Sequence, residues 1–332
     1  AALGMVLAAD VHAPADQPSF PAAVVDGFAL RAADGDMSRR LIGEQMAGYV
    51  AVLTVAPGTA VRITTGAPIP PGADAVVKVE QADELAGVVA PHPGQGLRPG
   101  LGIRAVGSDV QAGERVLAAG QVLGPAELGM LASLGHSHAR VHPRPVVGIF
   151  STGDELVEPG QRLASGQIYD SNRATLLAAV AQAGGQPLDL GIIPDRPAEL
   201  EARLVQGLAA ADVLITSGGV SMGELDLLKP LLARWGQVHF GRVLMKPGKP
   251  LTFATLPARR ADGAIDPDLT AKPIFALPGN PVSSLVTFQL FVRPAIRRML
   301  GCVAVDLPRI DAVLGQAFRL DPERPEFHRV TL

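Results

Sequence analysis

From residue 144 to residue 301, short apolar runs alternate with longer helix-type stretches, and this alternation limits the possible folds more than any other feature. The strand-type runs lie at 146–150, 188–193, 213–216 and 274–277, and the helix-type stretches lie at 172–183, 197–210, 223–234 and 282–300. Strands that alternate with helices imply βαβ units and a mostly parallel, doubly wound sheet. We therefore predict an α/β domain, whose ligands bind at the carboxyl ends of the strands.

Local signals set the ends of these helices. Ser171 or Asn172 can cap the first of them, and Gly184 follows its last turn. Pro197 suits the first turn of the second helix. Pro294 predicts a bend in the last helix, because proline lacks the N–H that continues the hydrogen-bond ladder.

The remaining segments have a different rhythm. Residues 1–25 are proline-rich and extended, whereas residues 26–111 hold short apolar runs between turn residues, which predicts a β-rich module. Residues 83–107 predict long loops or a hairpin, and a helix is expected at 125–134. Residues 303–332 begin a β-like stretch.

Length and composition exclude several classes of protein. A chain of 332 residues is too long for one compact core, so at least two domains are expected. The net charge of -3 gives no electrostatic footprint for nucleic acid, and no apolar run reaches the length of a membrane span. Cys302 is the single cysteine, which suits a reducing compartment. We expect a cytoplasmic protein that binds neither nucleic acid nor membrane.

Four segments near the strand ends combine glycine, proline, hydroxyl and charged residues. They are STGDEL (151–156), TSGGVSMGELD (216–226), MKPGKP (245–250) and LPGNPVSS (277–284). Each alone has an ordinary interpretation, such as a turn with solvated acids, a capped glycine turn or a lysine-bearing turn. Together they predict a site for a phosphorylated organic ligand and an oxyanion, with carboxylates available for Mg²⁺.

The physical reason to expect ligand binding differs between the segments. A glycine turn that leaves a buried strand and opens a helix directs backbone N–H groups toward an anion, and Asp226 would lie in that helix's first turn. Lys246 and Lys249 place two ammonium groups on a stiff loop, although their spacing is not that of a P-loop. Pro281 can occupy the first helical position, which leaves nearby N–H groups free for a ligand.

Three other features are weaker candidates. Residues 100–105 fit a loose dinucleotide-binding pattern but lack its strand-to-helix context. His136, His138 and His142 are better explained as surface histidines than as metal ligands. Cys302 is better explained as a packing residue than as a nucleophile.

The four segments, in this order, resemble the MoeA family of molybdopterin molybdenumtransferases, which includes the gephyrin E domain. The N-terminal half agrees with this resemblance. The matching segments there are DQPSF (16–20), VDGFA (25–29), RITTGAPIP (62–70), GADAVV (72–77), GSDV (107–110) and GE (113–114). The similarity covers nearly the whole chain.

The resemblance implies a fold and a domain order. It implies an elongated, multi-domain subunit, two of which form a homodimer with an intersubunit active site. The expected parts are a discontinuous, mixed linker domain (1–25 and 112–143), a β-rich inserted lobe (26–111), a MogA-like α/β molybdopterin-binding domain (144–305) and the start of a truncated C-terminal β domain (306–332).

The resemblance also implies a reaction. The substrates would be molybdate and adenylylated molybdopterin; molybdenum is inserted and AMP is released, with Mg²⁺ as the cation. A MogA-type adenylyltransferase and other molybdenum cofactor enzymes would be partners.

Residue roles follow from the same resemblance. The implied catalytic residues are Asp26, Thr65, Asp109, Glu155 and Asp226, of which Glu155 and Asp226 would also hold the metal ion. The implied substrate-binding residues are Thr152, Gly153, Asp154, Gly218, Gly219, Ser221, Lys246, Lys249, Pro250, Pro278, Gly279, Asn280, Pro281, Ser283 and Arg324. Asp26, Thr65 and Asp109 would reach the site of the second subunit.

The sequence departs from the family pattern near Asp26. Ala23, Val24 and Val25 stand where the family has serine or methionine, and Phe28 stands where it has tyrosine. A hydroxyl and a phenol are therefore lost beside this carboxylate.

Two other functions remain open at this point. One is a molybdopterin adenylyltransferase-like activity, and the other is a non-catalytic, gephyrin-like scaffold. An adenylyltransferase would carry a TxGGTG loop, whereas this chain has SGGVSMG (217–223), which favours molybdenum insertion. The retained lysines and acids argue against a pure scaffold.

Overall fold

The computed structural model describes residues 2–219, 227–313, 315–317 and 319–330. The chain divides into two compact units. The lobe unit contains residues 10–118 and 129–138, and the α/β unit contains residues 1–9, 119–128 and 139–332. The four-part division implied by the resemblance stays a prediction.

The lobe unit is built from short strands, as predicted. They are β1 (Val11–His12), β2 (Ala22–Ala23), β3 (Gly27–Leu30), β4 (Arg39–Gln45), β5 (Thr59–Ile63), β6 (Ala75–Lys78), β7 (Ala82–Leu85), β8 (Val88–Pro91), β9 (Ile103–Arg104) and β10 (Arg115–Leu117). Six of them form one sheet in the order β6-β3-β5-β4-β8-β7. Two short ladders pair β1 with β10 and β2 with β9.

The hairpin predicted within residues 83–107 is formed by β7 and β8. Ala86 and Gly87 join these strands with φ values of 50° and 75°. Two positive φ angles in succession are typical of the tight turns that join antiparallel strands. The pleat places Ala29 in one buried cluster and Leu30 in another, so both faces of the lobe sheet are covered.

Helix α1 (Pro125–Ser133) matches the helix predicted at 125–134, and the α/β unit carries the remaining regular elements. Its strands are β11 (Val146–Thr152), β12 (Leu156–Val157), β13 (Ile168–Tyr169), β14 (Gln186–Ile193), β15 (Val213–Ser217), β16 (Gln237–Phe240), β17 (Thr252–Leu256) and β18 (Lys272–Leu277). Its helices are α2 (Ser171–Ala183), α3 (Pro197–Ala210), α4 (Leu228–Trp235), α5 (Pro281–Thr287) and α6 (Arg293–Met299).

The central sheet of this unit is doubly wound, as predicted. Its strand order is β14-β11-β15-β18-β17-β16. The first four strands are parallel, β17 is antiparallel to β18, and β16 is antiparallel to β17. One face packs on α2, α5 and α6, where Ile215 clusters with Leu176 and Phe288. The other face packs on α3 and α4, where Leu214 clusters with Leu204.

Three local predictions need correction. The N-cap of α2 is Asp170, not Ser171 or Asn172, because its carboxylate accepts a hydrogen bond from the Arg173 backbone N–H at 3.1 Å. The last helix is broken by a π-helical turn at Phe288–Val292 rather than simply bent, since Pro294 cannot donate the bond that continues an α-helix. The strands β16 and β17 were not predicted.

The helix predicted at 223–234 and the β-like stretch predicted at 303–332 are only partly described by the structure. The helix expected at 223–234 is described from Leu228 to Trp235, and residues 220–226 lie outside the described residues. Among the described part of 303–330 there is no strand, and Glu326 forms a parallel bridge with Lys246. Across the described ranges, no helix combines the length and apolarity that a membrane crossing requires.

Candidate functional site

The described parts of the four predicted ligand segments lie at one edge of the α/β sheet. The parallel strands end there at Ile193, Thr152, Ser217 and Leu277. Ser217 is paired with Leu277, so the segments that follow β15 and β18 start side by side. Because β17 runs in the opposite direction, with Thr252 opposite Ala276, the lysine segment that precedes it also lies at this edge. This is the edge at which α/β sheets bind ligands.

The glycine turn after β15 runs in contact with the end of β11. Gly218 and Gly219 have φ values of 90° and 68°. A Cβ on Gly218 would lie 2.6 Å from the Thr152 carbonyl oxygen, and one on Gly219 would lie 2.8 Å from the Thr152 hydroxyl. Thr152 is 7% exposed, and its hydroxyl has no hydrogen-bond partner among the described residues. A buried hydroxyl without a partner costs stability, and this one is available to donate to a bound ligand.

The loop after β18 is organised by Asn280. Its side-chain oxygen accepts hydrogen bonds from the backbone N–H groups of Val282 and Ser283, both at 3.1 Å, and from the Ser283 hydroxyl at 3.3 Å. Pro281 occupies the first turn of α5, as predicted. The expectation that the N–H groups next to it stay free for a ligand is wrong, because Asn280 already binds them.

Replacing Asn280 with alanine should lower the free energy of unfolding by about 1 kcal/mol, the usual cost of losing an N-cap. Asn280→Asp keeps an acceptor at the cap and should stay within about 0.5 kcal/mol of the wild type. Urea unfolding measures both. Equal losses in the two variants would contradict a capping role for this side chain.

Carboxylates crowd the turn after β11. The backbone N–H of Asp195 donates to the Asp154 carboxylate at 3.2 Å. The Glu155 carboxylate folds back on Gly153, where a Cβ would lie 2.5 Å from it. Partial desolvation and the charges of Asp154 and Glu155 raise the pKa of Asp195. Within the described ranges, no group of three metal-binding side chains is in place, and Asp226 lies outside them.

The lysine segment holds two exposed cations, of which Lys246 is paired with a carboxylate. Lys249 is exposed, and its carbonyl accepts from the Val243 N–H at 3.0 Å. Lys246 Nζ lies 2.7 Å from a carboxylate oxygen of Glu326, whose side chain is only 3% exposed. Two backbone hydrogen bonds fix this arrangement, from the Lys246 N–H to the Pro325 carbonyl at 3.0 Å and from the Phe327 N–H to the Lys246 carbonyl at 2.9 Å.

The Lys246–Glu326 contact should release in acid. Hydrogen bonds from Lys246 and His328 lower the pKa of the Glu326 carboxyl from 4.5 to about 2. A depressed pKa stabilises the docked form above pH 4.5, and that stabilisation is lost as the pH falls from 4.5 towards 2. Protection of the Phe327 amide against hydrogen exchange, corrected for intrinsic rates, should fall over this range.

A neutral variant tests the same contact at constant pH. At pH 6, Glu326→Gln should lose protection at Phe327, whereas Glu323→Gln, at an exposed position of the same segment, should not. Unchanged protection in Glu326→Gln would show that the backbone bonds alone hold the segment.

The remaining predicted residues fall into three groups. Arg324 pairs with Asp321 at 2.7 Å. Pro250 lies directly before β17, and Pro278 lies directly after β18. Ser221 and Asp226 lie outside the described residues, so their predicted roles stay predictions.

Of the three site residues predicted in the lobe unit, Asp26 and Thr65 are in contact. The Asp26 carboxylate accepts from the Thr65 backbone N–H at 2.7 Å and from the Thr65 hydroxyl at 2.8 Å. These two bonds hold the pKa of Asp26 below its usual value. Asp109 instead pairs with Arg104 at 3.2 Å. Phe28 is 1% exposed, so the ring that replaces the family's tyrosine serves packing.

Sequence reasoning missed three residues at the sheet edge. Asp195 follows β14 and crowds Asp154, Glu326 pairs with Lys246, and Asn172 donates to both Ser217 and Gly279. The strand-end position of Asp195 was a usable signal. Nothing in the sequence indicates which residue approaches Lys246.

Comparison with known proteins gives a consistent result. Residues 1–135 match the family model described as the MoeA N-terminal region (domain I and II). Residues 148–298 match the model described as a probable molybdopterin binding domain.

Individual relatives agree with these models. The chain is 40% identical to Dictyostelium discoideum gephyrin, over 99% of this chain and 51% of that protein, so it spans about half of gephyrin. It is 40% identical to a Haemophilus influenzae molybdopterin molybdenumtransferase, over 90% of this chain and 71% of that protein. The crystal structure of a molybdopterin biosynthesis MoeA protein from Pyrococcus horikoshii superposes with a TM-score of 0.76 and 33% identity, over 90% of this chain and 73% of that one.

Proposed function

The chain belongs to the molybdopterin molybdenumtransferase (MoeA) family, and we propose that it inserts molybdate into adenylylated molybdopterin, with release of AMP, in molybdenum cofactor biosynthesis. The observation that carries the proposal is the meeting of the glycine turn, the Asn280 loop and the lysine segment at one sheet edge. Such an edge suits a ligand with both phosphate and oxyanion groups.

Each group at the edge has a role in this proposal. The Gly218 turn brings backbone close to the ligand, and the Thr152 hydroxyl donates to a phosphate oxygen. Lys249 offsets the negative charge of molybdate or phosphate. Lys246 does the same once its ion pair with Glu326 is broken. Ser221 supplies a further donor. The Ser283 hydroxyl, which donates to Asn280 in the structure, would supply another by turning toward the ligand.

We further propose that the reaction uses Mg²⁺ held by Glu155 and Asp226. Carboxylate oxygens are ligands that Mg²⁺ prefers. The crowding that raises the pKa of Asp195 supports a cation here, because a positive charge would relieve repulsion between Asp154, Glu155 and Asp195. When bound, the ion would stabilise negative charge on the phosphate oxygens. Glu155 would also orient water at the phosphoanhydride.

The proposed assembly is a homodimer in which Asp26, Thr65 and Asp109 act on the α/β site of the second subunit. Two hydrogen bonds from Thr65 fix the orientation of the exposed Asp26 carboxylate, which supports a defined role for it at the site. We also propose a MogA-type adenylyltransferase as the supplier of the adenylylated substrate.

A mixing experiment tests the intersubunit site. Asp26→Ala and Lys249→Ala should each be inactive alone, and a refolded mixture should regain activity because mixed dimers contain one intact site. A mixture as inactive as its components, with dimers verified by light scattering, would contradict the intersubunit arrangement.

The reaction itself is tested with purified protein, adenylylated molybdopterin and Mg²⁺. AMP should appear only when molybdate is added, and Lys249→Ala should release it much more slowly. Arg234→Ala, which removes an exposed cation from the last turn of α4 at the opposite end of the sheet, is the matched control. AMP release without molybdate, or formation of adenylylated molybdopterin from ATP and molybdopterin, would overturn the proposal. No turnover of either kind would favour a scaffold.

A further inference from the structure

The N-terminal turn of α2 touches three strand ends at once. The Asn172 side-chain amide donates one hydrogen bond to the Ser217 hydroxyl at 2.8 Å and one to the Gly279 carbonyl at 2.7 Å. Two residues earlier, the Asp170 carboxylate accepts from the Ser151 hydroxyl at 3.1 Å. One turn of helix therefore ties β11, β15 and the loop after β18 together.

Only an amide suits the position of Asn172. Its NH₂ group carries two N–H donors, and the two bonds to Ser217 and Gly279 use both. A carboxylate has no donors and would face the Gly279 carbonyl with negative charge. Alanine would leave both acceptors without this partner.

The two loops joined by Asn172 pack closely through glycine. A Cβ on Gly279 would lie 3.7 Å from the Cα of Gly218, so little side-chain volume separates the loops. Their spacing depends on hydrogen bonds rather than on interlocking side chains. The Gly218 N–H also donates to the Leu277 carbonyl at 3.2 Å, so the Asn172 bridge adds two side-chain bonds to this backbone link.

The bridge itself rests on a rigid base. Arg173, with a side chain 8% exposed, pairs with Asp170, whose side chain is 1% exposed, at 2.9 Å. Asp170 also caps the helix that carries Asn172. A buried, hydrogen-bonded ion pair at the start of α2 therefore fixes the direction from which Asn172 reaches the loops.

We propose that Asn172 is a positioning residue, which sets the distance between the Gly218 turn and the loop at 278–283 so that both contact the same bound adenylylated molybdopterin. This inference rests on the proposed function. Asn172 acts through Ser217 and Gly279 and need not touch the substrate. Losing it should weaken substrate binding more than the chemical step.

The test is a steady-state comparison of Asn172→Ala with the wild type. KM for adenylylated molybdopterin should rise about tenfold, with kcat within about threefold, because the loops are misplaced while the reacting groups remain. Asn172→Asp should raise KM further. Gln182→Ala removes an exposed amide from the last turn of α2 and should change neither constant.

A double-mutant cycle separates positioning from general stability. Ser217→Ala should raise KM less than Asn172→Ala, and the double variant should resemble Asn172→Ala because the two residues share one bond. Thermal unfolding of all variants is measured in parallel. Additive effects, or an unchanged KM with a lower melting temperature, would overturn the proposal in favour of a structural role.

Binding distinguishes this inference from the proposed function. Equilibrium dialysis with adenylylated molybdopterin, without molybdate, should show about tenfold weaker binding to Asn172→Ala, which equals about 1.4 kcal/mol. A wild type that binds but does not turn over would refute the proposed reaction and leave the Asn172 comparison intact. Equal binding by the wild type and Asn172→Ala would refute the positioning role alone.

Discussion

Replacing Arg173 with methionine should lower the free energy of unfolding by about 3–5 kcal/mol, because it removes the cation that pairs with the buried Asp170 carboxylate. The Arg173 guanidinium binds Asp170 at 2.9 Å, Asp189 at 2.5 Å and Glu158. The Asp170 side chain is only 1% exposed, so water cannot replace the lost partner. Methionine fills similar space, which makes the loss electrostatic rather than a cavity effect.

The measurement is the midpoint and slope of urea unfolding. Arg196→Met is the matched control, since Arg196 pairs with Glu199 at 2.9 Å but its side chain is 69% exposed. Exposed ion pairs contribute little, so this variant should lose less than about 1 kcal/mol. If Arg173→Met is as stable as Arg196→Met, the carboxylates do not depend on this arginine.

The sequence predicts the α/β unit well because its signals are local. Buried strands appear as apolar runs, and helices end at residues such as Gly184, which has a φ of 98°. The same reasoning failed for the cap of α2. Asp170, Ser171 and Asn172 are all good caps by type, and only the backbone conformation at Asp170 decides between them.

The missed strands show a second limit. β16 and β17 are short antiparallel strands at the sheet's side, and their sequences QVHF and TFATL carry weak strand signals. The position of β17 depends on its pairing with β18, and that of β16 on its pairing with β17, so both rest on contacts between separate segments of the chain. Local patterns contain no such information.

The sequence predicts where in the fold the site lies but not which side chains contact one another there. Strand-end segments such as 216–219 follow from topology, since parallel strands end at the same edge. Pairings between distant side chains do not follow from the topology. Glu326 is 80 positions after Lys246, and Asn172 reaches Gly279 across 107 positions. Both contacts became visible only once the chain was folded.

Gly218→Ala should reduce kcat/KM for AMP release by about 100-fold or more, chiefly through a higher KM, while leaving the protein folded. The new Cβ would lie 2.6 Å from the Thr152 carbonyl oxygen, a distance that forces the backbone to move. The φ of 90° at this position adds strain of about 1–2 kcal/mol for any residue with a Cβ. Moving the turn by about 1 Å misplaces the groups that hold the phosphate, and such errors cost about 100-fold in rate.

The control must be a glycine that has a similar positive φ but at which a new Cβ would meet no neighbouring atom. Gly160 has a φ of 93°, and a Cβ there would meet nothing within 4 Å. Gly160→Ala should therefore lose similar stability in thermal unfolding but keep the wild-type rate of AMP release. If both variants retain full activity, the close approach of Gly218 to Thr152 is not needed for phosphate binding. If both lose activity equally, backbone strain rather than the collision explains the loss, because a Cβ at Gly160 would meet no neighbouring atom.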